Sequence, residues 1–152
     1  HRRMLYLDKT GEVVQAHLDF MLVLSYNPGY QSIVKDLKQS TKQRFGSIVF
    51  GYPPVDLETD IINSETDLDR DTSHALAEVG AKIRELKGFG LDEGVSTRLL
   101  VYMATLMSSG LEPLTACRCA VSNSLTDDPQ MIRSINDIVH LYFGDMLSEA
   151  AG

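Results

Sequence analysis

Apolar positions follow two regimes along this chain, with a change near Pro53-Pro54. Before it they fall in short runs. Met4 to Leu7 and Glu12 to Val14 flank Asp8-Lys9-Thr10-Gly11, and a glycine near the end of a four-residue connection predicts a hairpin. Phe20-Met21-Leu22-Val23-Leu24 is apolar without alternation, the pattern of a strand covered on both faces in a parallel sheet flanked by helices. It ends at the turn signal Asn27-Pro28-Gly29. Ile33 to Phe45 reads as a polar, partly basic helix carrying Ile33, Val34 and Leu37, and Ser47-Ile48-Val49-Phe50 as a second apolar strand. Strand, helix, strand in that order predicts a right-handed βαβ unit. Two parallel strands cannot bury both their faces alone. The pattern therefore calls for more sheet, expected upstream of His1.

From Val55 onward the spacing is helical. Val55 to Ser64 carries Leu57, Ile61 and Ile62; His74 to Lys87 aligns Leu76, Val79, Ile83 and Leu86, with Gly88 as its stop. Ser96 caps a helix striped by Leu99, Leu100, Met103, Leu106 and Met107 and ended by Gly110. Pro113 opens a short helix with Leu114, Cys117 and Val121. Asp128-Pro129 supplies an N-cap and first residue for a last helix bearing Ile132, Ile135, Val139, Tyr142 and Met146. The stripes predict a small helical bundle. The expected architecture is α/β over residues 1–54, then all-α over 55–152.

Charge narrows the partners. A net charge of -7 argues against a general nucleic-acid binder, which needs a basic surface, although Lys35 to Arg44 concentrates positive charge locally. No apolar run reaches the roughly 18 residues of a membrane-spanning helix. Cys117 and Cys119 stand two apart in a helical segment, a spacing that aims them at different faces and disfavours a disulfide. They are expected to be small buried hydrophobes in a reducing compartment, the cytoplasm. His17, His74 and His140 are too scattered to suggest a metal site.

Asn27 is a polar residue at the C-terminal end of an apolar strand, where open α/β sheets bind ligands, and its amide could orient a water beside a phosphate or simply belong to a turn. Ser25 to Gln31, followed by Lys35-Asp36-Leu37-Lys38-Gln39-Ser40-Thr41-Lys42-Gln43-Arg44-Phe45, resembles the NorQ/NirQ/CbbQ branch of the MoxR-type AAA+ ATPases nearly residue for residue. Gly94-Val95-Ser96-Thr97-Arg98 is similar to that family's Ser-Thr-Arg motif, and Leu125-Thr126-Asp127-Asp128 to a further stretch near its C-terminus. Order and intervals agree as well, so the resemblance runs through essentially the whole chain.

The resemblance implies that residues 1–54 are the C-terminal part of a AAA+ α/β subdomain and residues 55–152 its helical lid. Met4 to Val14 is then the hairpin before the first sensor, and Phe20 to Leu24 the strand presenting the sensor Asn27. Arg44 matches the arginine finger and Arg98 the second sensor. Those residue types suit phosphoryl transfer, which asks for a positioned water and for cations at the transferring phosphate. The planar, always-charged guanidinium binds phosphate oxygens well. Lys35, Lys38 and Lys42 would be interface or solvent residues. The implied protein is an ATP hydrolase that uses ATP and Mg2+ in a homo-oligomeric ring, expected to be a hexamer. It would act with a von Willebrand factor A domain partner to remodel or activate a target enzyme. The target is of the nitric-oxide or nitrite reductase maturation type, or of the Rubisco activation type.

Two departures stand out. His17-Leu18-Asp19-Phe20 replaces the family's His-Pro-Asp-Phe, which touches no chemistry. More importantly, the chain carries no Gly-x-x-x-x-Gly-Lys-Ser/Thr loop and no apolar strand ending in Asp-Glu. Alone it is expected neither to bind ATP tightly nor to hydrolyse it. The alternative is a non-catalytic interaction module that kept the lid and lost the nucleotide site.

Overall fold

Leu5 and Tyr6 face Val14 and Val13 across an antiparallel ladder formed by β1 (Met4–Leu7) and β2 (Glu12–Gln15). The turn closes when the Gly11 and Thr10 N–H groups donate to Leu7 O at 2.8 and 3.1 Å, so the expected hairpin is present. This computed structural model describes residues 3–25, Ser40 and residues 43–149. They fall in two compact units, His1–Ile48 and Val49–Gly152.

The two strands expected at Phe20–Leu24 and Ser47–Phe50 are not formed. Phe20 to Leu24 is irregular and its side chains are 47–78% exposed, while Ile48, Val49 and Phe50 are 81–92% exposed. A strand acquires its ladder and its covered faces from neighbours, and among the described residues the hairpin is the only sheet. The parallel α/β arrangement is therefore not seen in the described residues. The helix expected over Ile33 to Phe45 lies largely outside them; Ser40 is helical and residues 43–44 form a turn.

The second unit is a helical bundle. Pro53-Pro54 leads into α1 (Val55–Glu65), followed by α2 (Arg70–Glu85) and α3 (Thr97–Ser108). Then come the short α4 (Pro113–Cys117), a wide π-type turn (Arg118–Ser122), the single-turn α5 (Asn123–Leu125) and the long α6 (Pro129–Glu149). α2 begins four residues before the expected His74, because Asp69 caps it by accepting from the Thr72 N–H at 2.9 Å. The Asp128 carboxylate caps α6 at Gln130 N, 3.0 Å away. Gly110, at φ 92°, ends α3: its N–H donates to Met107 O and the Leu111 N–H to Leu106 O. That paired closure needs a left-handed residue, which glycine supplies without steric cost.

The core joins Ile62 of α1, Leu76, Val79 and Ile83 of α2, Leu100 and Met103 of α3, Val121, and Ile135, Val139 and Phe143 of α6. Each such side chain contributes roughly 1.5–3 kcal/mol when fully buried. The stripes read from the sequence supply most of it, with two corrections. Leu57 is half exposed, and its neighbour Glu58 is buried in its place. Cys117 is buried and Cys119 exposed, since positions two apart on a helix face different ways.

Candidate functional site

The Gly94–Arg98 segment runs into the N-terminus of α3. Ser96 caps that helix, its hydroxyl accepting from Leu99 N at 3.3 Å. Leu100, one turn in, is fully buried. Arg98 lies between these anchors with its backbone in the first turn and its side chain exposed. The first turn of α3 holds no acidic residue, whereas α1 opens with Asp56 and Glu58 and α2 with Asp71. An exposed guanidinium thus stands at the positive end of a 12-residue helix dipole, an arrangement that favours an anionic ligand.

Behind this segment lies a buried polar cluster that sequence reasoning missed. The Glu58 carboxylate, with no exposed surface, accepts from Arg84 Nη1 at 2.6 Å and from Arg84 Nη2 at 2.7 Å. Its Oε1 also accepts from the Thr97 hydroxyl at 2.7 Å. Arg84 Nε donates to Val95 O at 2.9 Å, so every guanidinium nitrogen is engaged. The Tyr52 ring lies 4.1 Å from the Arg84 guanidinium carbon, and its hydroxyl donates to Gly94 O at 3.1 Å. A Cβ on Gly94 would stand 3.0 Å from both Arg84 Cγ and Tyr52 Oη. Glycine is therefore the residue that lets the chain pass so close.

Bidentate pairing and cation–π contact are the geometries in which Arg outperforms Lys. Removing water makes such a pair costly to break, because the surviving charge stays buried and uncompensated. A signal existed in the sequence. Glu58 lies four residues before Ile62, and Arg84 lies four after Gly80 and eight after Leu76. Both charges therefore fall on the buried side of their helices, a spacing that hints at burial without naming the partner.

Of the residues singled out by sequence, Asn27 lies outside the described residues, as do Lys35, Lys38 and Lys42. Arg44 is exposed in a turn of the first unit, and Arg98 belongs to the second. Elsewhere in the bundle, burial pushes the Cys117 thiol above its ordinary pKa, as for an inert structural cysteine.

The helical unit matches the protein family described as CbbQ/NirQ/NorQ C-terminal over residues 58–142, from the buried Glu58 to Tyr142 of α6. The chain belongs to this family and carries its C-terminal region. It is 55% identical over 131 residues to Protein CbbQ of Hydrogenophilus thermoluteolus, covering 86% of this chain and 49% of that protein. It is 47% identical over 143 residues to Protein NorQ of Paracoccus denitrificans, covering 94% and 53%. To the Denitrification regulatory protein NirQ of Pseudomonas aeruginosa it is 44% identical over 141 residues, covering 93% and 54%. The chain thus spans about half the length of the curated relatives it matches. No helix among the described residues is long and apolar enough to cross a membrane.

Proposed function

We propose that this chain is the C-terminal part of a MoxR-type AAA+ ATPase that works as a hexameric ring to remodel or activate a partner enzyme. The observation that carries the reading is Arg98: an exposed cation at the N-terminus of α3, within the family's helical region and next to Thr97, whose hydroxyl bonds the buried Glu58. In this reading the bundle is the lid over a nucleotide held mainly by sequence upstream of His1. Arg98 binds the terminal phosphate oxygens and couples lid position to the nucleotide's state. Arg44 serves as a finger reaching a neighbouring subunit's nucleotide, and Asn27 orients the attacking water. Bound Mg2+ and ATP supply the phosphoryl electrophile, while these side chains position and neutralise charge. The target enzyme is Rubisco or a nitric-oxide or nitrite reductase, in keeping with relatives one of which is named for the regulation of denitrification. A von Willebrand factor A domain protein is the second partner.

The test is Arg98→Ala in the full-length protein. Turnover of ATP falls by about 100-fold, as when a transition-state cation is removed, while ring assembly is unchanged. Wild-type turnover in that variant, with the ring intact, excludes Arg98 as a nucleotide sensor.

A further inference from the structure

The buried cluster ties the start of α1, the end of α2 and the approach to α3 together. Tyr52 stands on the segment entering α1, Glu58 in the first turns of α1, and Arg84 in the last turn of α2. All three converge on Gly94, Val95 and Thr97, the residues immediately before Arg98. Three hydrogen bonds hold the Gly94–Thr97 segment: Arg84 Nε to Val95 O, the Tyr52 hydroxyl to Gly94 O and the Thr97 hydroxyl to Glu58, with Arg84 and Glu58 braced by their own two-bond pairing. A hydrophobic core would hold the helices together equally well, so packing alone does not call for a fully buried carboxylate at this junction. What the cluster adds is direction. Carboxylate, guanidinium and hydroxyl each accept only a narrow range of angles, which apolar side chains do not demand.

We infer that Glu58, Arg84, Thr97 and Tyr52 form a positioning clamp that fixes where Arg98 is presented. The inference rests on the reading of Arg98 given above. Thr97 is the most informative member, because it is only partly buried and its loss leaves the Glu58–Arg84 pair intact. In Thr97→Val the side chain keeps its shape and loses the bond to Glu58 Oε1.

The experiment is a double-mutant cycle on ATP turnover by the full-length protein, with Thr97→Val, Arg98→Ala and the pair. Thr97→Val is expected to lower kcat by about tenfold, as a displacement below an ångström at a phosphate-binding group does, with Tm unchanged. In the Arg98→Ala background the same substitution should change nothing further, since its effect runs through the missing guanidinium. Thr97→Ser, which keeps the hydroxyl, should restore turnover. Should Thr97→Val lower Tm by more than about 4 °C, Tyr52→Phe carries the same cycle, because it deletes only the bond to Gly94 O. Wild-type kcat in Thr97→Val, or an effect that persists undiminished without Arg98, overturns the clamp while leaving the sensor reading standing. Unchanged turnover in Arg98→Ala alone overturns the sensor reading and the clamp with it.

Discussion

At the start of α2 the Asp69 carboxylate accepts from both the backbone N–H and the hydroxyl of Thr72, at 2.9 and 2.6 Å, and the hydroxyl bond above all holds its pKa below the ordinary 3.8. A carboxylate whose folded pKa is depressed contributes stability above its unfolded value, and that stability drains away as pH falls through the folded one. Asp69→Ala should therefore cost about 1 kcal/mol near neutral pH, the usual worth of such a cap. The difference in Tm between wild type and variant should shrink steadily below about pH 4; a pH-independent difference excludes the charged cap as its cause. Single residues also mark where sequence reasoning slipped. Ser96, Asp128 and Pro129 were readable because capping is local chemistry between a side chain and the next turn. The pairing of Glu58 was not, because its partners lie 26 and 39 residues away and only folding brings them together. Glu58→Ala and Arg84→Ala should each destabilise the bundle by roughly 3–5 kcal/mol in urea unfolding. The double substitution should cost well under the sum, since each single variant leaves the other charge stranded.

Among the elements, those carrying their own hydrogen bonds were legible and those borrowing them were not. A helix satisfies its backbone internally, so apolar spacing and a cap locate it; the stripe through Leu99, Leu100 and Met103 and its stop at Gly110 are both present. The hairpin needs only its own turn. Phe20–Leu24 and Ser47–Phe50 have apolar patterns that ask for neighbouring strands, and the described residues supply none. If the chain is the C-terminal part of a AAA+ core, those two segments belong to a sheet completed by upstream sequence. Their amides should then exchange with solvent many times more slowly in the full-length protein than in this chain alone, as measured by hydrogen exchange. Equal, fast exchange in both would remove the α/β assignment for residues 1–54. Gly110→Ala tests the other kind of element end. At φ 92° the added Cβ should cost about 1 kcal/mol through backbone strain alone, because no atom lies within 4 Å of it. The expected reading is a lower Tm at unchanged helix content.

For the whole molecule, the proposed finger role of Arg44 turns on whether it acts within its own subunit or across an interface. Arg44 is exposed in a turn of the first unit. A finger acting in trans has a consequence that no intrasubunit role shares. Arg44→Ala in an intact ring should lower turnover by about 10³-fold or more, with nucleotide affinity nearly unchanged, because the lost charge acts at the transition state. Rings mixed from Arg44→Ala subunits and subunits crippled in ATP binding should then regain activity. At some interfaces an intact nucleotide site meets an intact Arg44, although neither parent ring has one. A finger acting in cis gives no such rescue: the subunit with a working nucleotide site always lacks its arginine. Mixed rings that assemble and stay inactive would place Arg44 outside the trans-acting machinery. Recovery in proportion to the number of mixed interfaces would establish that hydrolysis depends on assembly, each nucleotide site being completed by the subunit beside it.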